Sequence, residues 1–439
     1  MLNPPRPVTA ISLAQPDTIR LPFPPPLSLY IHIPWCIKKC PYCDFNSHEE
    51  PQLAKGQSSL SASQIESHYA AYVDALVRDL EGSLTAVWGR TVQTVFIGGG
   101  TPSLCPPAQM ARLLDAVRSL LKLSADAEIT MEANPGSFER ERFEAFAEAG
   151  VNRLSLGVQS FSDDCLRRIG RVHDARQAQD ALDAAIRIFP RVNVDLMYGQ
   201  PGQTLASLDH DLAMALQRAG SALSHLSIYQ FTLEPNTFFA KHRPEAMPDE
   251  KLLESMQTLI DERLGSAGFQ QYEVSAWSLP GQRCRHNLNY WQFGDYLGIG
   301  AGAHGKISDH RGIRRTTRQR RPFAYIDALT HKPEPQHAAE RWLEPRDLPF
   351  EFMLNALRLK DGVASHWWQE RCGLPAQVLV KQARRAIDKG LLDADPNLWR
   401  ASDLGWRFLN DLQASFLQSY ALKDSLNPAV LPHLGHLAS

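Results

Sequence analysis

The sequence predicts an α/β fold: a curled, incomplete barrel of six strand–helix units, followed by a small α-rich, winged-helix-like domain. Three observations carry that expectation. From Ser28 onward short apolar runs alternate with longer helical stripes, the pattern of parallel strands joined by crossover helices. Five successive strand ends carry polar or glycine-rich residues, as they do where a barrel gathers its reactive loops. After about Arg341 the strand signal gives way to short amphipathic helices.

Taken in order, residues 1–26 carry eight prolines and read as an extended, poorly ordered leader outside the fold. The partial barrel spans 27–270. Its strands are predicted at Ser28–Ile33, Val92–Ile97, Glu128–Ala133, Arg153–Val158, Val192–Leu196 and His225–Phe231. Tyr69, Tyr72, Val73, Leu76 and Leu80 recur on one helical face, and Met110 to Leu121 forms a second stripe. Phe138 to Ala149, Ala175 to Phe189, Leu205 to Ala219 and Leu252 to Ala267 complete the set. Asn46 to Ser63, rich in Ser, Glu and Gln, reads as a surface loop, and 271–340 as a linker region. In 341–439 helices are expected at Phe350 to Leu359, Gln377 to Asp388 and Asp403 to Phe416, with a hairpin around Asp393 to Arg400.

Composition narrows the function classes. A chain of 439 residues with 44% hydrophobic and 21% charged residues can bury a full enzyme core. A formal net charge of −2 provides no general attraction for nucleic acid, and the C-terminal domain is not conspicuously basic, so packing or a lid role suits it better than DNA binding. Arg311 to Arg321 holds six arginines in eleven residues. It reads as a solvated loop, or as a patch for anionic lipid, a ligand carboxylate or an acidic electron donor. No run approaches the roughly 18 apolar residues of a membrane span. Four of the seven cysteines, Cys105, Cys165, Cys284 and Cys372, are scattered. That is no disulfide framework, and a reducing cytoplasm is the expected compartment.

The remaining three, Cys36, Cys40 and Cys43, lie in Ile33-Pro-Trp-Cys-Ile-Lys-Lys-Cys-Pro-Tyr-Cys-Asp-Phe45. Three thiolates so close, with no obvious fourth partner, can hold three irons of a four-iron cluster and leave the last iron open. Zinc is the rival reading, with His32 and His48 available to complete its ligand set. Gly98-Gly-Gly-Thr101 follows the second strand and lets backbone approach a ligand closely. Glu132, Gln159, Arg171 and Asp195 offer acceptors for ribose hydroxyls or an ammonium and a guanidinium for a carboxylate, although Arg171 alone reads as a surface residue.

With these residues in view the chain resembles the radical S-adenosylmethionine proteins through Cys36, Cys40 and Cys43. More narrowly it is similar to the group holding oxygen-independent coproporphyrinogen III dehydrogenase (HemN) and the haem chaperones (HemW). The likeness runs through Tyr30-Ile-His-Ile-Pro-Trp-Cys36, Gly98-Gly-Gly-Thr-Pro102, Glu132-Ala-Asn-Pro135, Gly157-Val-Gln-Ser160 and Asp195-Leu-Met-Tyr-Gly-Gln-Pro201. The resemblance implies a radical-SAM partial barrel and a [4Fe-4S] cluster whose open iron takes the methionyl amine and carboxylate of S-adenosylmethionine. It implies cofactor contacts from Tyr30, Gly99, Gly100, Thr101, Glu132, Gln159, Arg171 and Asp195. Phe45 stands where the dehydrogenase pattern has a further cysteine, and His286-Asn-Leu-Asn-Tyr-Trp291 matches the H-N-x-x-Y-W motif of the chaperones. The resemblance therefore implies haem as ligand, His286 as its contact and an apo-haemoprotein as acceptor. A flavodoxin-like or other electron donor, peripheral membrane contact and a homodimer are further partners it brings into view. Read without the resemblance, His286 is a buried histidine with satisfied ring nitrogens among core aromatics.

Overall fold

The computed structural model describes residues 19–50, 62–136, 139–220, 222–331 and 337–417. Most of the proline-rich leader, the middle of the polar loop after the cysteines, Phe138 and the tail beyond 417 lie outside the described residues.

Six parallel strands form the barrel wall: β1 (Leu27–Ile33), β2 (Thr91–Gly99), β3 (Lys122–Ala133), β4 (Arg153–Gln159), β5 (Arg191–Tyr198) and β6 (Leu223–Gln230). Each pairs with its sequence neighbour. The crossover helices are α1 (Ala62–Val87), α2 (Pro107–Leu120), α3 (Glu139–Glu148), α4 (Ala175–Ile188), α5 (Leu205–Leu216) and α6 (Glu250–Ser266). Three of them begin at side-chain caps: Asp174 accepts from Gln177 N, Thr204 from Ser207 N and Asp249 from Leu252 N.

Because strand side chains alternate, one face of each strand packs under the helices. Leu29, Ile31, Val95, Ile97, Ile129, Met131, Leu154, Leu156, Val192 and Val194 are all buried in that layer. The other face looks inward and is polar. Thr94 donates to Ser28 across 2.8 Å, Asn193 donates to Ser155 across 2.8 Å, and His225 meets Asn193 at 2.6 Å. A barrel plugged with branched aliphatics is a packed core; this lining leaves the interior as a place for hydrogen-bonding chemistry.

The region 271–340, expected as a linker, is woven into the sheet. It supplies β7 (Gln270–Glu273), β8 (Ala276–Ser278), β9 (Asp295–Ile299), β10 (His304–Asp309), β11 (Gly312–Arg318), β12 (His337–Trp342) and the short helix α7 (Arg285–Trp291). The sheet has twelve strands in the order β12-β11-β10-β9-β1-β2-β3-β4-β5-β6-β8-β7. Charged residues hide these strands from pattern reading, because the charges are paired rather than solvated. Lys306, 1% exposed, donates to Asp295 at 2.8 Å, and Arg90 reaches the same carboxylate at 2.9 Å.

The arginine run is neither a solvated loop nor a single patch. It is largely β11, and alternation sends its members to different partners. Arg315 pairs with Glu351, Arg314 with Glu340, and Arg318, buried, with Asp79 and Ser83. Of the six, Arg311, Arg320 and Arg321 lie outside the strand and are exposed, Arg311 paired with Asp309.

The C-terminal helices, at Leu348–Ala356, Trp367–Cys372, Ala376–Asp388, Asp403–Arg407 and Leu409–Ala414, enclose a second core. The predicted hairpin closes through Asp393 N donating to Arg400 O. Trp291 and Phe293 enter this core from the barrel side, and Ile19 and Leu21 pack on it, with Arg20 N bonded to Gly373 O at 2.9 Å. The end of the leader, expected outside the fold, thus belongs to it.

Candidate functional site

The cysteine loop leaves β1 at its C-terminal end. Trp35 is buried among Tyr69 and Tyr72 and anchors the entry. Trp35–Cys36 pairs with His48–Glu49, and Lys39 Nζ donates to Phe45 O at 3.0 Å and Ser47 O at 3.1 Å, tying the loop across its own width. All three thiols are half-buried, and each faces a polar neighbour: Thr101 Oγ1 lies 3.6 Å from Cys36 Sγ, Arg171 Nη1 3.6 Å from Cys40 Sγ, and Ser47 Oγ 3.5 Å from Cys43 Sγ. Burial pushes the Cys36 thiol up to about 11 and raises Cys43 as well. Such thiols are protonated unless a metal takes the proton's place.

The glycines after β2 are required by contact. A side chain on Gly99, at φ +119, would stand 2.6 Å from the His32 ring, and one on Gly100 would stand 2.5 Å from Trp35 O. Gly99 N donates to Glu132 Oε2 at 3.0 Å, which brings the third strand's carboxylate against the glycine turn.

Arg171, read as a surface residue, is the hub of the cluster. Its Nη2 donates to Asn134 Oδ1 at 2.7 Å and Gly157 O at 2.8 Å, and Asn134 in turn donates to Thr101 Oγ1 at 2.7 Å. A side chain on Gly170 would meet Pro41, so the turn before Arg171 lies directly on the cysteine loop. Gln159 ends β4 at φ +68, its backbone oxygen held by Gln200 Nε2 at 3.0 Å. Asp195 receives Asn193 Nδ2 at 2.7 Å and Ser155 Oγ at 3.2 Å, and burial raises its carboxyl. Tyr30 Oη meets His32 Nδ1 at 2.9 Å, while His32 Nε2 meets Asn46 O at 3.0 Å.

Cysteines, glycines, Thr101, Glu132, Gln159 and Arg171 are therefore joined at one end of the barrel. Asn134 and His32 belong with them, though sequence reading assigned neither as a cofactor contact; the Glu132-Ala-Asn-Pro135 run was the available signal for Asn134.

His286 lies elsewhere, on α7, which closes the barrel from below. Arg191, at the start of β5, pairs with Glu128 and donates to Gln282 O and Arg283 O, and Arg285 reaches Asp126. His286 is fully buried, with Nδ1 2.7 Å from Thr94 Oγ1 and Nε2 2.8 Å from Tyr290 Oη. Burial, then the Arg153 charge, hold its imidazole neutral, down to about 3. Its ring is 5.1 Å from Phe96, which stacks on Tyr30 at 6.3 Å, so one aromatic layer separates it from the upper site. Trp291 turns away into the second core. Cys284, pushed up to about 11 by burial, lies 3.6 Å from Glu128 Oε1.

Comparison with known proteins adds the family. The Radical SAM superfamily profile matches residues 30–215 and the HemN C-terminal domain profile residues 343–408. Heme chaperone HemW of Escherichia coli (strain K12) is 45% identical over 395 residues, which is 90% of this chain and 98% of that protein. The chain belongs to the HemW family of radical SAM proteins. HemW of Haemophilus influenzae is 39% identical over 404 residues, 90% of this chain and 99% of that one. The solved coproporphyrinogen III oxidase HemN of Escherichia coli superposes with a TM-score of 0.74 at 23% identity, covering 90% of this chain and 91% of that one, which is a likeness of fold.

Radical SAM membership implies a [4Fe-4S] cluster and S-adenosylmethionine, and the residues fit. Among the described residues no three His, Cys, Asp or Glu side chains converge as a single ion requires. A cluster asks each sulfur to hold a different iron, and Cys36, Cys40 and Cys43, each half-buried and faced by a polar neighbour, would hold three of them. Among the described residues no helix is long and apolar enough to cross a membrane.

Proposed function

We propose that this chain binds haem and hands it to an apo-haemoprotein, with a [4Fe-4S] cluster on Cys36, Cys40 and Cys43 and exchangeable S-adenosylmethionine supporting loading or transfer. The observation that carries this reading is the nearly full-length likeness to proteins named heme chaperone HemW. Phe45 in place of the dehydrogenase cysteine, and His286-Asn-Leu-Asn-Tyr-Trp291, agree with it.

When bound, the cluster supplies an electron source beside the sulfonium. The chain's own groups do the rest. Thr101 and Arg171 hold the cysteine loop against the strand ends. The Gly98–Gly100 turn packs its backbone against His32, Trp35 and Glu132, and Glu132, Gln159 and Asp195 offer acceptors for the hydroxyls and ammonium of an adenosyl cofactor. His286 is poised differently. For Nε2 to meet a haem iron, Tyr290 must swing away, while the Thr94 bond to Nδ1 keeps ring orientation and tautomer.

Anaerobic reconstitution followed by haem titration of the wild type and His286→Ala, with coproporphyrinogen turnover assayed on the same sample, tests the reading. Tight haem binding that depends on His286, release to an apo-haemoprotein and no turnover are expected. Protoporphyrinogen production with His286-indifferent haem binding would move the chain to dehydrogenase chemistry.

A further inference from the structure

Beneath the cluster site the barrel interior holds a cation with nothing to bind. Arg153 opens β4 and is 2% exposed, yet among the described residues its guanidinium makes no hydrogen bond and no ion pair. Its charged neighbours, Glu128 and Asp195, act through space. Glu128 is engaged by Arg191, by Cys284 and by His286 N, and Asp195 by Asn193 and Ser155. Buried guanidinium donors without acceptors are costly, and the five N–H groups of arginine match a planar anion.

A second orphan lies beside it. Thr130, 0% exposed, has an Oγ1 without a hydrogen-bond partner, and Thr130 is the direct cross-strand partner of Arg153. Both project to the interior, on the same strand faces as Glu132 and Ser155. The same ladder row continues through Phe96 to Tyr30.

We propose that Arg153 and Thr130 form a carboxylate-binding site inside the barrel, distinct from the cofactor contacts around Arg171. Guanidinium and hydroxyl together satisfy both oxygens of one carboxylate. The nearby Glu128 and Asp195 disfavour a doubly charged phosphate there. Arg153 lies four residues before Gly157 on the same face, roughly 13 Å deeper at 3.3 Å per residue, so the carboxylate of a cofactor seated at the cysteines is remote from it. A porphyrin propionate, the source supplied by the haem reading on which this deepening rests, suits the depth better.

The test is titration of reconstituted wild type, Arg153→Gln and Thr130→Val with haem, haem dimethyl ester and S-adenosylmethionine, read by absorbance and calorimetry. Arg153→Gln is expected to weaken haem about tenfold or more and Thr130→Val a few-fold, with ester binding unchanged and S-adenosylmethionine untouched. Thr130→Val removes only an unpaired hydroxyl, so it should melt at or above the wild-type temperature and keeps the test alive if Arg153→Gln misfolds. Weakened S-adenosylmethionine with haem unaffected would assign the same site to the methionyl carboxylate. Wild type that binds no haem removes the chaperone reading and leaves the S-adenosylmethionine arm to decide the site. Unchanged affinity of both ligands in both variants, or binding of neither by wild type, overturns it.

Discussion

At the C-terminal ends of the strands Arg171, Thr101 and Ser47 reach toward three half-buried thiols, whereas at the opposite ends Arg191, Glu128, Thr94, His286 and Tyr290 close upon one another. The two clusters draw on similar residue types and differ in where their bonding capacity goes. The lower one spends most of it on protein partners, Arg191 Nε excepted, so a ligand reaching His286 must displace Tyr290. The upper one, together with Arg153 and Thr130 between them, keeps capacity in reserve, and a reserve of that kind is what a ligand uses.

The strongest way to break this contrast is to remove one thiol. Cys40→Ala should abolish iron and labile sulfide uptake while shifting the denaturation midpoint little, because the residue is half-exposed. Iron retention near wild type would sink the cluster assignment. At the other end the effects should invert. His286→Ala leaves Thr94 Oγ1 and Tyr290 Oη without their ring partner and opens a cavity, a loss of about 2–4 kcal/mol by urea unfolding with iron content unchanged.

Gly100→Ala should fall between the two. Its Cβ would lie 2.5 Å from Trp35 O, a backbone atom that cannot swing aside, so a cost of about 1–3 kcal/mol is expected along with poorer cluster yield. Wild-type stability and yield together would show that the turn has slack.

Two buried groups sharpen the comparison through pH. His286 is held neutral down to about 3, below its unfolded value of about 6.5. Its contribution is present above the unfolded value and is lost as pH falls from there toward 3. Asp211 has the opposite sign. Burial raises it to about 6, against the donors Phe161 N and Ser160 Oγ. Its contribution is present below about 4, its unfolded range, and is lost as pH rises through about 6. Asp211→Asn should flatten the stability profile between those limits, where a carboxyl raised from about 4 to about 6 corresponds to up to about 3 kcal/mol; an unchanged slope in urea melts across that window would refute it.

Much of the barrel is legible because its cause is local. Ser28–Ile33, Val92–Ile97 and the later apolar runs are strands since two-residue alternation and burial demand it, and the structure lengthens rather than relocates them. β10 and β11 are illegible for the converse reason: Lys306, Arg315 and Arg318 look solvated until Asp295, Glu351 and Asp79 arrive from distant segments. Arg171 reads as surface because its partners Asn134 and Gly157 lie on two other strand ends.

By itself the amino-acid order determined the strand–helix alternation, the spacing of Cys36, Cys40 and Cys43, and the glycine turn, all consequences of interactions spanning a few residues. Tertiary structure alone decided that Thr94 and Tyr290 are the partners of the buried His286 ring, that the arginine run disperses along a strand, and that Arg153 and Thr130 stand side by side without partners. Whether a polar group is spent or free depends on which acceptors the fold carries to it, and those come from residues far away in the chain.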